Sequence, residues 1–443
     1  MEFWIKAGQL LLALSILIVV HEFGHYLPAK WFKTRVEKFY LFFDYKFSLL
    51  KKKIGDTEWG IGWIPLGGYV KIAGMIDESM DKEQMAKEPQ PWEFRSKPTW
   101  QRLIIMLGGV TVNVIVGFLI YIMVLFVWGE EKIDNSKLVN GVAVHPFFEQ
   151  YGFKSGDIIQ EVDGKKVDNF SKLGAEILIF GKTKFKVQHE DGKIETIKLP
   201  ANIDDKMFES GAMNAFSFRA FPGKIKEVQK ESIASKSGLK AGDKILAVND
   251  QKFNFHDEMQ SALYKNRGKK IEVLIERKNK EFVKTIKLDE TGLLGYTPDV
   301  KLSSDTNAIY TKNYSFGESF SNGFSLGGKT LYMNVYQFKF LATKKGATSL
   351  GGFGSIGKMF SPTWDWRSFW MLTALLSFGL AVMNLLPIPA LDGGHVMFLI
   401  YEMITGRPPA QRFLEIAQTI GFVIILGLIL FANGKDIYNA IFG

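Results

Sequence analysis

The sequence predicts a multi-pass α-helical membrane protein with four transmembrane helices, a membrane-associated β-hairpin region and two small α/β repeats outside the membrane. Three observations carry this. Four apolar stretches of spanning or nearly spanning length occur along the 443 residues. One turn-and-strand pattern appears twice between the second and the third. Mean hydropathy is only +0.03, although 47% of residues are hydrophobic and 14% aromatic. Apolar helices joined by sizeable polar parts give that combination.

The first apolar stretch runs from Ala7 to Ala29 and carries His21-Glu22-Phe23-Gly24-His25 near its end. Two His at i and i+4 share one helix face, so both imidazoles reach one metal ion. The intervening Glu sits close enough to act as general base on a water. The stretch lacks a strong basic start and a small-residue cleavage site, so it reads as a retained helix rather than a signal peptide. Ionisable groups at membrane depth are costly and point to function.

The next segment, Lys30 to Gln101, is rich in cations, including Lys30, Lys33, Arg35, Lys38, Lys46, Lys51, Lys52 and Lys53. The positive-inside rule places it in the cytoplasm. Within it, Trp59 to Lys71 alternates apolar and small residues around Gly62, Gly67 and Gly68, which predicts a β-hairpin. An edge strand there is able to pair with an extended substrate; an ordinary interfacial hairpin is the plainer reading.

The remaining apolar stretches are Leu103 to Trp128, Phe369 to Leu386 and Ile416 to Phe431. The third ends at Pro387 and Pro389, which predicts a helix broken within the membrane and facing protein or water. This count puts the N-terminus, the C-terminus and Gly129 to Asp365 outside. The Arg407 and Arg412 loop, the HEFGH run and the Pro387 region fall on the cytoplasmic side.

The outer region repeats itself. Gly152-Phe153-Lys154-Ser155-Gly156-Asp157 followed by Ile158 to Gly164 matches Gly238-Leu239-Lys240-Ala241-Gly242-Asp243 followed by Lys244 to Asp250. Each copy is a turn feeding an alternating strand, a pattern that resembles the PDZ domain. The expected organisation is residues 1–131 for the first two helices and the hairpin, 132–205 and 221–290 for the PDZ-like domains, 300–365 for an interfacial amphipathic segment, and 366–443 for the last two helices.

The third metal ligand must come from elsewhere. With no Cys in the chain, a thiolate is excluded. Asp392, in Asn384-Leu385-Leu386-Pro387-Ile388-Pro389-Ala390-Leu391-Asp392-Gly393-Gly394-His395, is a carboxylate in apolar surroundings that needs a cation. An N-cap for the following helix is the alternative, and His395 is the rival ligand. Asn384 suits a substrate backbone or a developing oxyanion, or else a helix–helix hydrogen bond. Asn113 reads as structural. The net charge of +9 is spread without a basic stripe, which excludes nucleic acid as a partner and favours anionic lipid head groups.

Taken together, HEFGH, Pro65 to Lys71, the tandem repeat and Asn384 to His395 resemble, in order, the site-2 protease family of intramembrane zinc metalloproteases, in its bacterial regulator-of-sigma-E (RseP) type. The resemblance covers nearly the whole chain. It implies one Zn²⁺ held by His21, His25 and Asp392, with Glu22 as base. It also implies Asn384 in substrate handling and the Gly62 to Lys71 hairpin, with Gly67, Gly68 and Tyr69, as a clamp on a substrate strand. The implied substrates are single-pass membrane proteins already trimmed outside, such as anti-sigma factors, and remnant signal peptides. The PDZ pair would contact peptide or substrate ectodomains and filter by size, in a bacterial inner membrane. The chain departs from the family pattern at Leu41 to Asp44, at Gly109-Val110 and at Leu350 to Phe353. A non-catalytic scaffold and a zinc transporter are the rival classes; an intact Glu22 argues against the first, and the lack of a polar path across the membrane against the second.

Overall fold

The structure is a computed structural model that describes residues 1–75, 88–303, 308–341, 343, 346 and 351–442. Part of the loop expected to be cytoplasmic, Lys30 to Gln101, and part of the expected 300–365 segment therefore lie outside the described residues. The chain divides into two compact units, one formed by Met1–Gly129 with Asn313–Asn439, the other by Glu130–Lys312.

The first unit is helical. Its elements are α1 (Glu2–Trp31), α2 (Thr99–Trp128), α3 (Phe316–Tyr336), α4 (Trp366–Asn384), α5 (Asp392–Thr405) and α6 (Gln411–Phe442). Among the described residues, α1, α2, α4 and α6 are long and apolar enough to cross a membrane. At 1.5 Å rise, the 30 residues of α1 span about 45 Å. The helix α3 starts on a capping box, in which the Ser315 hydroxyl accepts from the Glu318 N–H and Glu318 Oε2 accepts from the Ser315 N–H. Its Gly323 and Gly327 lie against Ile122 and Phe118 of α2, and Leu326 and Leu331 join the core of Ile120, Tyr121, Val124, Ala374 and Phe378. The sequence reading of this segment as an interfacial helix thus meets a helix packed on α2 and α4, because small residues let two backbones approach.

Between α1 and α2 lies a four-stranded sheet of β1 (Val36–Phe43), β2 (Leu50–Ile54), β3 (Thr57–Ile61) and β4 (Ile64–Ile72), in the order β2-β3-β1-β4. This corrects the expected hairpin. The strands β3 and β4 do not pair with each other; β1 lies between them, parallel to β3 and antiparallel to β4. The reason is local. The Gly62 and Trp63 N–H groups donate to the Leu41 and Phe43 carbonyls, so the connection crosses the end of β1 instead of reversing on itself. The true hairpin is β2–β3, turning at Gly55 with φ +63°.

The second unit is β-rich, and both copies of the repeat build the same turn. The Lys154 N–H donates to Asp157 Oδ2 and the Lys240 N–H to Asp243 Oδ2, each at 2.8 Å. Gly156 and Gly242 hold φ of +98° and +90°, which only glycine adopts readily. Each turn then feeds a strand, Ile158–Val162 or Lys244–Val248. The side chain facing the aspartate differs. His189 Nδ1 lies 2.7 Å from Asp157 Oδ1, whereas Arg277 donates two hydrogen bonds to Asp243, at 2.6 and 2.7 Å. A further buried cation, Arg219, binds Glu190, Asp257 and Glu258 and stacks on Phe255.

The two aspartates are shifted in opposite directions. Burial raises Asp157 above the ordinary carboxylate range. Burial also opposes ionisation of Asp243, but the Arg277 bonds prevail and hold it below that range. A raised carboxylate adds stability below its unfolded pKa of about 3.9 and loses it as pH rises; a depressed one adds stability above that value and loses it as pH falls. Hydrogen exchange on the full-length protein, corrected for intrinsic rates, should show protection of Lys244–Val248 falling below pH ~4 while that of Ile158–Val162 does not.

Candidate metal centre

The helix α1 turns one stripe inward: Gln9, Ala13, Leu17, His21, His25 and Ala29 are buried at intervals of four. The stripe packs on α2, and the contact is closest at glycine. A Cβ added to Gly24 would collide with the Gly108 backbone, and one added to Gly108 with the Gly24 carbonyl. At the next residue, a Cβ on Gly109 would lie 2.5 Å from His25 Nε2 and 2.6 Å from His21 Cε1. Gly109 thus leaves the space in which the two imidazoles converge.

Asp392 reaches the same space from the other end of the chain. The helix α4 ends at Asn384, and the segment through Pro387 and Pro389 reverses direction at Ala390, whose φ is +81°. Such a value in a residue with a Cβ is strained and persists where surroundings enforce it. Gln418 of α6 supplies one restraint, its Oε1 accepting from the Ala390 N–H. Gly393 and Gly394 supply another, since a Cβ on either would strike the carbonyls of Leu385, Leu386 or Ile388. Asp392 then opens α5. At the far end of α5, Glu402 accepts from Arg102 and Thr99 of α2.

Three atoms converge. His21 Nε2 and His25 Nε2 are 3.3 Å apart, and Asp392 Oδ2 lies 3.2 and 3.3 Å from them. His25 Nδ1 is 2.8 Å from the Ile105 carbonyl; a carbonyl only accepts, so Nδ1 carries a proton, and in the neutral ring Nε2 is then the lone pair. Asp392 Oδ2 is buried without a hydrogen-bond donor. Acceptors facing one another in this way need a cation. A tetrahedral ion bound at 2.0–2.1 Å sets its ligand atoms about 3.3 Å apart, which is the spacing observed. Two imidazoles and a carboxylate are a donor set for zinc, so the residues fit the metal.

Among the described residues, His21, His25 and Asp392 form the group able to share an ion; His395 lies outside it. Glu22 lies beside the sheet at Gly68. Gly68 allows this approach, since a Cβ there would lie 2.5 Å from Ile18 and 3.7 Å from Glu22 Cγ. Asn384 Nδ2 lies 3.2 Å from His21 Nε2, at the rim of the cluster. The other glycines of the loop are elsewhere. Gly62 crosses the Phe43 carbonyl and Gly67 packs against the Phe43 ring. Tyr69 donates its hydroxyl to Asp44 at 2.8 Å and stacks on Tyr40. Sequence reasoning missed the Ile105 carbonyl and the contact of Asn113 with His21, at 3.2 Å. Only the Gly108-Gly109 pair ahead of Asn113 hinted that α2 approaches something closely.

Apolar spanning helices, a His-Glu-His face and a carboxylate from a broken helix define a membrane metallopeptidase. The sequence profile described as Peptidase family M50 matches residues 9–428. The chain belongs to peptidase family M50. It is 27% identical to a protein named regulator of sigma E protease from Haemophilus influenzae, over 98% of this chain and 99% of that one. It is 29% identical to the regulator of sigma-E protease RseP of Salmonella typhimurium, over 95% of this chain and 96% of that one.

Gly109→Ala should displace both imidazoles and lower zinc affinity at least tenfold, on the scale of lost ligand support. Gly8→Ala, in the same helix but with open space around it, should leave affinity unchanged. Zinc content after dialysis against a graded chelator series measures both.

Proposed function

We propose that the protein is a zinc-dependent intramembrane endopeptidase that cleaves transmembrane segments of single-pass membrane proteins in regulated intramembrane proteolysis. The observation that carries this reading is the 3.2–3.3 Å triangle of His21, His25 and Asp392 atoms beside Glu22. One Zn²⁺ is the cofactor, with those three residues as ligands; when bound, it supplies a Lewis acid that polarises a carbonyl and makes water acidic. Glu22 accepts the proton of the attacking water and delivers it to the leaving amine. The Asn384 amide donates towards the oxygen on which negative charge develops. The strand β4 ends the sheet beside Glu22, and its outer edge is suited to an extended substrate. A helix must unwind before its peptide bonds are open to water, and a strand offered as partner lowers the cost of that unwinding.

Anti-sigma factors already trimmed outside, and remnant signal peptides, fit as substrates. Charge bias supports an inner-membrane orientation with both termini and the two repeats outside, the repeats acting as PDZ-like modules that admit trimmed substrates. Gly62, Gly67 and Tyr69 shape the sheet, and Gly68 seats it on α1.

The test is cleavage of a tagged single-pass substrate in proteoliposomes. Glu22→Gln should retain zinc yet lose cleavage by roughly 10²–10⁴-fold. A chelator should abolish wild-type cleavage, and added zinc restore it. No product from either protein despite bound zinc would favour a scaffold.

A further inference from the structure

Asn113 sits in the middle of α2, fully buried on a helix whose composition suits lipid. A primary amide there is costly unless its donors and acceptor are satisfied. Its Oδ1 has no partner, and its Nδ2 lies 3.2 Å from His21 Nδ1. A half-turn of the amide about its Cβ–Cγ bond exchanges the two atoms and places Oδ1 against that nitrogen. If His21 gives Nε2 to a metal, its Nδ1 must carry a proton and needs an acceptor. The same half-turn therefore meets both needs.

The partner histidine sets the precedent. His25 Nδ1 is directed at the Ile105 carbonyl, also on α2. One helix thus supplies an acceptor to each imidazole, with Gly109 between them. The backbone at Asn113 is held as well: the Ser377 hydroxyl donates to its carbonyl at 2.7 Å. Ser377 stands two turns before Asn384 on α4. Asn113 therefore links the ligand on α1 to the helix that carries Asn384.

We propose that Asn113 is a positioning residue whose amide oxygen accepts the Nδ1 proton of His21, holding that ring in the tautomer and orientation that present Nε2 to zinc. The proposal rests on the metallopeptidase reading above. It makes Asn113 part of the metal centre rather than a helix–helix contact.

The test compares purified full-length wild type, Asn113→Leu, Asn113→Ala and Asn113→Asp, reading zinc affinity by chelator competition and the visible spectrum of the Co²⁺-loaded proteins. Loss of the acceptor in the Leu variant should weaken zinc about 10–100-fold, the usual effect of removing a group that orients a ligand. The Asp variant keeps an acceptor at the same place and should bind within about threefold of wild type or more tightly. The Co²⁺ spectrum should change in the Leu variant and be retained in the Asp variant. Thermal unfolding of the metal-free proteins reports folding separately, and the Ala variant, which also removes the acceptor but adds no branched bulk, replaces Leu if Leu fails to fold. Wild-type affinity in a folded Leu or Ala variant overturns the proposal. So does an Asp variant as impaired as Leu, the result expected of a purely structural amide. A wild-type protein that holds no zinc would instead overturn the metallopeptidase reading on which the proposal stands.

Discussion

The helices α1 and α2 meet where Gly24 and Gly108 leave no room for a side chain. In lipid, helix association gains little from hydrophobicity and depends on close packing and buried polar contacts. Both are concentrated at this crossing. The backbones approach, the imidazoles of His21 and His25 turn into the gap above Gly109, and the Ile105 carbonyl comes within hydrogen-bond reach of His25. A wider crossing would separate the rings from the groups that orient them. The loop that brings Asp392 would then have no site to complete.

Within that crossing, the polar atoms are sorted by what they lack. With the His25 proton on Nδ1 and the ring neutral, its Nε2 and Asp392 Oδ2 face each other as acceptors unless a cation lies between them. This is expensive in a protein interior, and the strained backbone at Ala390 is a second local cost. Both are borne by the surroundings: Gln418 pins the loop, Gly393 and Gly394 admit its carbonyls, and Arg102 anchors the far end of α5 through Glu402. Such costs, concentrated at one place and supported from several helices, mark a site kept for chemistry rather than for stability.

The second unit shows how one local design diverges after duplication. Both copies cap a tight glycine turn with an aspartate that accepts from the lysine N–H three residues earlier. The partner is an arginine in one copy and a histidine in the other; the arginine bonds outweigh burial at Asp243, whereas burial prevails at Asp157, so the same turn responds to acid differently in the two copies.

Much of the centre was legible in sequence because it is local. The i, i+4 spacing of His21 and His25 dictates a shared helix face, the scarcity of His makes that pair conspicuous, and paired prolines announce the broken helix before Asp392. The four apolar stretches and the duplicated turn were legible for the same reason, since periodicity and turn chemistry act over a few residues. The order of the sheet was not. The choice of β1 rather than β4 as the neighbour of β3 was made by hydrogen bonds from Gly62 and Trp63 to residues some twenty positions earlier. Nor could sequence assign Asn113, whose partner His21 is 92 residues away. The sequence by itself determined which residues are able to bind a metal and which segments suit a membrane. The tertiary structure alone decided which polar atoms were left facing one another, because that depends on how closely distant backbones pack.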